Sequence, residues 1–345
     1  MPTKKICICG HFGFGLKLLN GQTIKTKILY RELQREYGNN NIYVIDTHGR
    51  KNTILLFFRL IFGLIICRNI IILPAQGGML IIPLWLCLWN SLFRRKLHYV
   101  VIGGWVAKFL DQHRITEWAL HFFHNIYCET STLQKELIKR NYNNTVVLPN
   151  CKSLNIIPED QLNFSTNYPL RLVIFSRIMK QKGIADAVKT VARINKNKGK
   201  EIYTLDIYGQ IDNAETEWFT ELQNSFPTSI KYKGCVDFDK SVETLSKYFA
   251  LVFPTRFFTE GIPGTIIDAY AAGLPVITAQ WESYKDIVID GETGYSYKFG
   301  EINALEELLI KIADTPENIV KIKRNCIMKA YDYIPQNVIP LMKFE

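Results

Sequence analysis

Acidic residues are scarce in the first half of this sequence. Residues 1–150 hold 7 Asp and Glu against 19 Lys and Arg, a surplus of +12; residues 151–345 hold 25 against 23, or −2, which gives the chain its net +10. The imbalance excludes a self-neutralising surface on the first half. It implies a polyanion, a phosphorylated small molecule or an anionic membrane nearby, unless the lysines are simply solvated. Zinc-type and redox cysteine patterns are missing too. Among the eight cysteines no Cys-x-x-Cys pair and no Cys/His cluster at zinc spacing occurs, so no metal site is expected. Scattered, apolar-flanked thiols in a chain this long fit a reducing cytoplasm. Internal repeats and low-complexity tracts are absent. The opening Met1-Pro2-Thr3-Lys4-Lys5 runs straight into a strand-like segment, without the apolar core and cleavage site of a secretory leader. No aromatic-interleaved basic motif of the nucleic-acid-binding kind occurs, so no nucleic-acid partner is expected.

With 345 residues, 48% apolar and 21% charged, the chain is expected to pack as about two globular domains. Strand-length apolar runs alternate with helical patterns. Strands are read at 4–9, 42–45, 70–73, 97–101, 126–128 and 145–148, with a helix at 23–36. On the first of these strands Cys7 and Cys9 share a face. Residues 149–169, with Pro149, Pro158 and Pro169, read as a linker. A second alternation follows, with strands at 171–175, 202–207, 229–232, 250–253 and 275–277. Its helices are read at 184–196, 215–223, 241–247, 265–272, 303–313 and 317–330. Such βαβ alternation implies parallel sheets covered by helices. The expected fold class is α/β: two Rossmann-like doubly wound domains facing across a cleft, over 1–155 and 165–330, with the tail 331–345 free to pack back on the first. Ligands of such sheets sit at the carboxyl ends of the strands.

Asn69 to Phe93 carries no charge and is long enough to span a bilayer, but Pro74, Gly77, Gly78 and Pro83 argue against one continuous helix. A buried strand over 69–73 and an apolar helix over 78–92 account for it. Lys51, Arg59, Arg68, Arg94, Arg95 and Lys96 surround apolar stretches, the pattern of a surface-bound element, although the same helices could simply be core.

Three segments could carry chemistry. In the first, a strand ends at Pro254, a loop carries Glu260, Gly261, Ile262 and Pro263, and a helix opens at Gly264-Thr265 with Asp268 one turn in. Free N–H groups of 262–266 and the helix dipole make an anion site. An acid beside it needs hydrogen-bond donors, which sugar and ribose hydroxyls supply. An ordinary βαβ turn with a solvated glutamate and a capping aspartate reads the same residues equally well. In the second, the strand Leu172–Phe175 ends in Ser176-Arg177, with Lys182-Gly183 at the next helix start. Arg177 and Lys182 could clamp a diphosphate, or be a pair of surface cations. The third is the first βα turn, Gly10 to Gly15, followed by Asn20-Gly21-Gln22-Thr23. Leu18 breaks the dinucleotide fingerprint, leaving Gly15 and Gly21 in a glycine-rich loop facing the cleft.

Taken in order, these elements resemble the donor domain of retaining glycosyltransferases of the GT-B fold, the large group 1 family often numbered four. The resemblance covers 170–330: Ser176-Arg177, Lys182-Gly183, the strand ending at Gly209, Lys233-Gly234-Cys235-Val236, Glu260-Gly261 with Asp268-Ala269, Gly273-Leu274-Pro275-Val276-Ile277, and Gly291-Glu292-Thr293-Gly294. Cys128-Glu129-Thr130-Ser131 and Val147-Leu148-Pro149-Asn150 are similar in the first half. Two departures stand out: the second acid is Asp268 where the family has Glu, and no His occurs in 99–105.

The resemblance implies a hexosyl transfer with retention from a nucleotide-sugar, most commonly a UDP-sugar, without metal. Arg177, Lys182 and Glu260 would be catalytic. Gly15, Gly21, Gly209, Val236, Gly261, Ile262, Pro263, Gly264, Thr265 and Asp268 would contact the donor. The acceptor would be a glycan or polyprenyl-diphosphate-linked sugar, as in capsule or O-antigen assembly, handled in the cytoplasm with possible peripheral contact at an anionic inner membrane face. A nucleotide-sugar epimerase of related architecture and a catalytically silent membrane- or nucleic-acid-binding scaffold are the rival readings.

Overall fold

The computed structural model describes residues 3–16, 21–49, 53–342 and 344; Leu18, Asn20 and Lys51 lie outside them. The chain divides into two units, Met1–Ser153 with Ile334–Glu345, and Leu154–Tyr333.

Unit 1 is built on six parallel strands: β1 Lys4–Gly10, β2 Ile42–Asp46, β3 Cys67–Leu73, β4 Lys96–Val100, β5 Asn125–Cys128 and β6 Thr145–Val147. They lie in the order β2-β1-β3-β4-β5-β6. Its helices are α1 Gly21–Tyr37, α2 Thr53–Ile66, α3 Gln76–Met79, α4 Ile82–Phe93, α5 Val106–Gln112, α6 Arg114–Leu120 and α7 Ser131–Ile138. Both faces of β1 are covered, which is why it reads as an unbroken apolar run. Ile6 and Ile8 pack on one side with Leu33 of α1; Cys7 and Cys9 pack on the other with Leu60 and Leu64 of α2. Burial pushes the Cys9 thiol up to about 12, so it acts as a small apolar side chain.

Unit 2 repeats the plan: β7 Leu170–Phe175, β8 Tyr203–Tyr208, β9 Ile230–Tyr232, β10 Ala250–Phe253, β11 Val276–Ala279 and β12 Gly294–Tyr297, in the order β12-β11-β10-β7-β8-β9 and all parallel. Its helices are α8 Ile184–Lys198, α9 Thr216–Asn224, α10 Ser241–Leu245, α11 Gly264–Ala271, α12 Ile302–Asp314, α13 Glu317–Lys321 and α14 Lys323–Ala330. A last short helix, α15 Pro335–Val338, belongs to unit 1, where Val338, Ile339 and Met342 join the Ile6/Ile8 side of the core. From β7 the chain moves first to β8 on one side and later to β10 on the other. The carboxyl ends of β7 and β10 therefore flank a topological switch point, the place where open α/β sheets form a ligand crevice.

Three local readings need correction. The helix expected over 78–92 is two, α3 and α4, parted at Leu80–Ile81. Pro83 near the start of α4 has no N–H to continue a preceding helix and fits only a first turn. The helix expected over 317–330 is likewise α13 and α14, parted at Ile322. The strand β12 went unread, since its residues Gly-Tyr-Ser-Tyr lack an apolar run.

Candidate functional site

The site is assembled where β7 and β10 end side by side. Pro254 carries no N–H and stops β10. The chain leaving β7 turns through Lys180–Lys182 and enters α8 by way of Gly183, whose φ is +69°. A Cβ there would come within 1.8 Å of the Pro254 carbonyl oxygen, so glycine lets the two loops touch. Gly209, just past β8, has φ +145° and lies equally tight on the Ser176 carbonyl, a Cβ there falling 1.8 Å from its oxygen. Thr265 Oγ1 donates to the Phe175 carbonyl at 2.6 Å, which ties the start of α11 to the end of β7.

This packing brings Lys182 and Glu260, 78 residues apart, into a direct ion pair. Thr255 Oγ1 donates to the same Glu260 oxygen at 3.2 Å and accepts the Phe257 N–H at 3.1 Å. The Lys182 ammonium lies 5.6 Å from the Phe253 ring centroid. The two charged side chains keep 22% and 14% of their surface, enough for a ligand to reach them and little enough to limit screening. Beyond Pro263, α11 begins at Gly264-Thr265, where the first N–H groups lack intrahelical acceptors. The Ile266 N–H is committed to the Pro263 carbonyl at 3.0 Å and Pro263 has no N–H, so the helix-start donors narrow to Gly264 and Thr265. Chemically the arrangement offers a cation, a carboxylate and a helix N-terminus converging on one point. An anion would meet Lys182 and the dipole, and a hydroxyl would meet Glu260.

Other expected residues lie outside this ion-pair contact. Arg177 is half exposed, with its Nε 3.7 Å from Asp212 and an Nη 3.5 Å from Met179 Sδ, so it does not join Lys182 in a preformed clamp. Asp268 is buried at 3% exposure inside the first turns of α11. The Gly209 N–H donates to the Gly234 carbonyl at 2.9 Å, which joins the turns after β8 and β9, with Val236 half-buried two residues on.

Gly15 and Gly21 belong to unit 1. There the glycine-rich turn already holds an anion of its own: the Asp46 carboxylate accepts the N–H groups of Phe12 at 2.9 Å and Phe14 at 3.3 Å. Burial alone would raise that carboxyl. The N–H donors of His48, Phe12, Gly13 and Phe14 outweigh it and hold Asp46 below the usual range. Glu129, from the segment the resemblance marked, is buried and paired with Lys25 at 2.6 Å, while Lys25 also donates to the Val101 carbonyl at 3.1 Å.

Sequence reading missed one further pair. Arg256 grips Asp186 of α8 in bidentate fashion, at 2.6 and 2.7 Å, and the Asp186 hydrogen bonds raise the guanidinium pKa. The Arg256 N–H also donates to the Gln181 carbonyl at 2.8 Å. Both bonds hold the β10 loop against the β7 loop and so support Lys182 and Glu260. The only sequence signal was an acid in the first turn of a helix that follows a glycine.

Residues 169–315 match the family model described as glycosyl transferases group 1. The amylovoran biosynthesis glycosyltransferase AmsK of Erwinia amylovora is 23% identical over 185 residues, 50% of this chain and 44% of that protein. The capsular polysaccharide biosynthesis glycosyltransferase CapM of Staphylococcus aureus is 29% identical over 140 residues, 39% of this chain and 34% of CapM. The chain thus spans less than half the length of the curated relatives it matches. Among solved structures, Anabaena Alr3699/HepE in complex with UDP and glucose superposes with a TM-score of 0.73 at 14% identity, over 98% of this chain and 97% of that one. Sucrose-phosphate synthase from Thermosynechococcus elongatus does so with a TM-score of 0.75 at 15% identity, over 97% and 96%. Residues 169–315 are thus similar to group 1 glycosyltransferases, and the chain that carries them has the GT-B fold.

Proposed function

We propose that this chain moves a hexose from a nucleoside-diphosphate sugar, a UDP-sugar, onto a glycan or polyprenyl-diphosphate-linked acceptor, with retention at the anomeric carbon. The observation that carries the reading is the Lys182–Glu260 ion pair at the switch point of unit 2, beside the start of α11. The donor diphosphate replaces Glu260 as the counter-ion of Lys182, and Arg177 swings from Asp212 onto the same phosphates. Glu260, released, accepts hydrogen bonds from sugar hydroxyls and orients the anomeric carbon. As the bond from that carbon to the phosphate oxygen breaks, negative charge grows on the leaving diphosphate. Lys182, Arg177 and the N–H groups of Gly264 and Thr265 stabilise it. The acceptor hydroxyl bonds to the same face of the carbon, and its proton passes to the departing phosphate oxygen. These cations supply the charge, so the proposed step uses no metal. Gly209, Val236, Gly261, Ile262, Pro263 and Asp268 complete the donor site in this reading.

Unit 1, with the basic excess, takes the acceptor, and the product is a bacterial surface polysaccharide built at the cytoplasmic side of the membrane. The amylovoran and capsular polysaccharide biosynthesis roles of AmsK and CapM support that reading, and the UDP and glucose held by HepE support the donor class. The test is to incubate the protein with nucleotide sugars and a mixed glycan and lipid-linked acceptor pool, and to follow the products by NMR. Free UDP together with a new equatorial anomeric proton, as in the α-linked donor, is the expected result. An isomerised nucleotide sugar without release of UDP would make the protein an epimerase instead.

A further inference from the structure

Three neighbouring helices of unit 1 present apolar side chains outward. On α2 these are Phe58, Phe62 and Ile65, on α4 Leu88 and Leu92, and on α6 Trp118; each keeps between 46% and 72% of its surface. The spacing of three and four residues gives one stripe on α2 and one on α4. The helices form one layer: Phe57 of α2 lies 4.6 Å from Trp85 of α4, and Cys87 of α4 donates to the Ala119 carbonyl of α6 at 3.2 Å. Their inner faces, with Leu60, Leu64 and Leu86, are fully buried in the unit 1 core. Helices that are apolar on the outside as well as the inside are found in cores or against lipid, and a contiguous exposed patch of this kind is rare on a monomer in water.

The apolar run Gln76–Phe93 is long enough to cross a membrane by length and composition alone, but its break at Leu80–Ile81 argues against a crossing. The 12 residues of α4 extend about 18 Å, short of the roughly 30 Å of a hydrocarbon core, and α3 before it is a separate helix. The inner face is also held by the sheet. Charge then selects the partner. From residue 47 through residue 110 the sequence has no Asp or Glu and eight Lys or Arg. Arg59 adjoins Phe58 on α2, and Arg94 closes α4; both are exposed. A second copy of this chain seated on the same patch would oppose cations to cations, because a two-fold interface places a surface against itself. An apolar interior beneath an anionic surface matches both features.

We propose that the outer layer of α2, α4 and α6 docks unit 1 onto an anionic lipid bilayer, with the three helices lying in the interface plane. This deepens the lipid-linked acceptor reading by naming the docking surface, and it stands or falls separately from donor binding.

The experiment is co-sedimentation of the full chain with vesicles of phosphatidylcholine, alone or with one third phosphatidylglycerol. Binding is expected on the mixed vesicles and should weaken steeply with salt. The quadruple variant Phe58→Ser, Phe62→Ser, Leu88→Ser, Leu92→Ser should bind at least about tenfold more weakly. Its circular dichroism and UDP affinity should stay at wild-type values, since these side chains point away from the core. Arg59→Gln with Arg94→Asn should cost about fivefold for each charge on mixed vesicles and nothing on neutral ones. Equal binding by the quadruple variant, or no binding of wild type to either vesicle, overturns the proposal. So does self-association that the serine variant abolishes in a protein that ignores vesicles, which would make the face a subunit interface. A wild-type chain that binds UDP but neither kind of vesicle would sink this inference and leave the transferase reading intact.

Discussion

Glu260→Gln removes the anion that competes with a diphosphate for Lys182, so it should strengthen binding of UDP while crippling transfer. The Lys182 ammonium is satisfied by Glu260 within a partly shielded contact, and UDP must break that contact to use the cation. A hydrogen bond to a charged group contributes about 1.5–3 kcal/mol. Part of that is recovered when Glu260 turns to water, and a net gain of about 1.4 kcal/mol, roughly tenfold in Kd, is expected for UDP in the variant. A UDP-sugar should gain less, since the glutamine holds the sugar hydroxyls more weakly, and kcat should fall by about a hundred- to a thousandfold. Lys182→Gln should act in the opposite sense on UDP. It leaves Glu260 facing the diphosphate without its cation, and UDP should bind roughly ten- to a hundredfold more weakly. Calorimetric titration of UDP and the UDP-sugar into wild type, both single variants and the double variant measures all of these terms, and the double variant reports the coupling directly. If Glu260→Gln weakens UDP as much as Lys182→Gln does, Glu260 supports Lys182 instead of competing for it, and the exchange of counter-ions is wrong.

The remaining predictions concern the scaffold. Gly183→Ala should cost more than about 2 kcal/mol, because it adds a left-handed φ to a Cβ overlap with Pro254. Gly199→Ala, with φ +63° but open space around it, should cost only about 1 kcal/mol, and urea midpoints of the two compare them. Arg256→Ala leaves Asp186, 11% exposed, without its bidentate partner and should cost about 1–3 kcal/mol, with a matching fall in Tm and in UDP affinity as the two loops part. His98 of β4 is fully buried, its Nε2 against Asn69 Oδ1 at 3.1 Å and its Nδ1 without a partner, and burial pushes its pKa down to about 3. Its folded pKa lies below its unfolded one, so the unfolded chain takes up the proton first. The stability contributed by neutral His98 is present above pH 6.5 and is lost as pH falls from there towards 3, at about 1.4 kcal/mol per pH unit. Urea unfolding at pH 7 and pH 5 should show wild type losing about 2 kcal/mol more than His98→Gln; equal losses would refute the burial argument.

How much of this was written locally in the chain follows from what each feature depends on. Strands such as Ala250–Phe253 are legible because burial on both faces leaves a continuous apolar run. The loop that follows is legible because a strand-ending proline, closely spaced glycines and a new helix start leave few alternatives. The strand β12 was not legible, since Gly294 to Tyr297 owe their place to pairing with β11 and not to their own hydrophobicity. Chain spacing gave Lys182 and Glu260 separately, but their contact depends on the β7–β10 adjacency, which no local pattern encodes. The same holds for Arg256 with Asp186 and for the Asp46 carboxylate inside the glycine-rich turn. Arg177 illustrates the converse: its motif position invites joining Lys182 in a clamp, whereas its guanidinium lies against Asp212.

The most direct test of the account is a thermal-shift and calorimetric panel of UDP, GDP, ADP and their hexose conjugates on wild type, Arg177→Ala and Lys182→Gln. The account predicts that one nucleotide, UDP, stabilises wild type by about 2.7 kcal/mol at a hundred times its Kd and that both variants lose most of this. A folded wild-type protein that none of these nucleotides stabilises would contradict it.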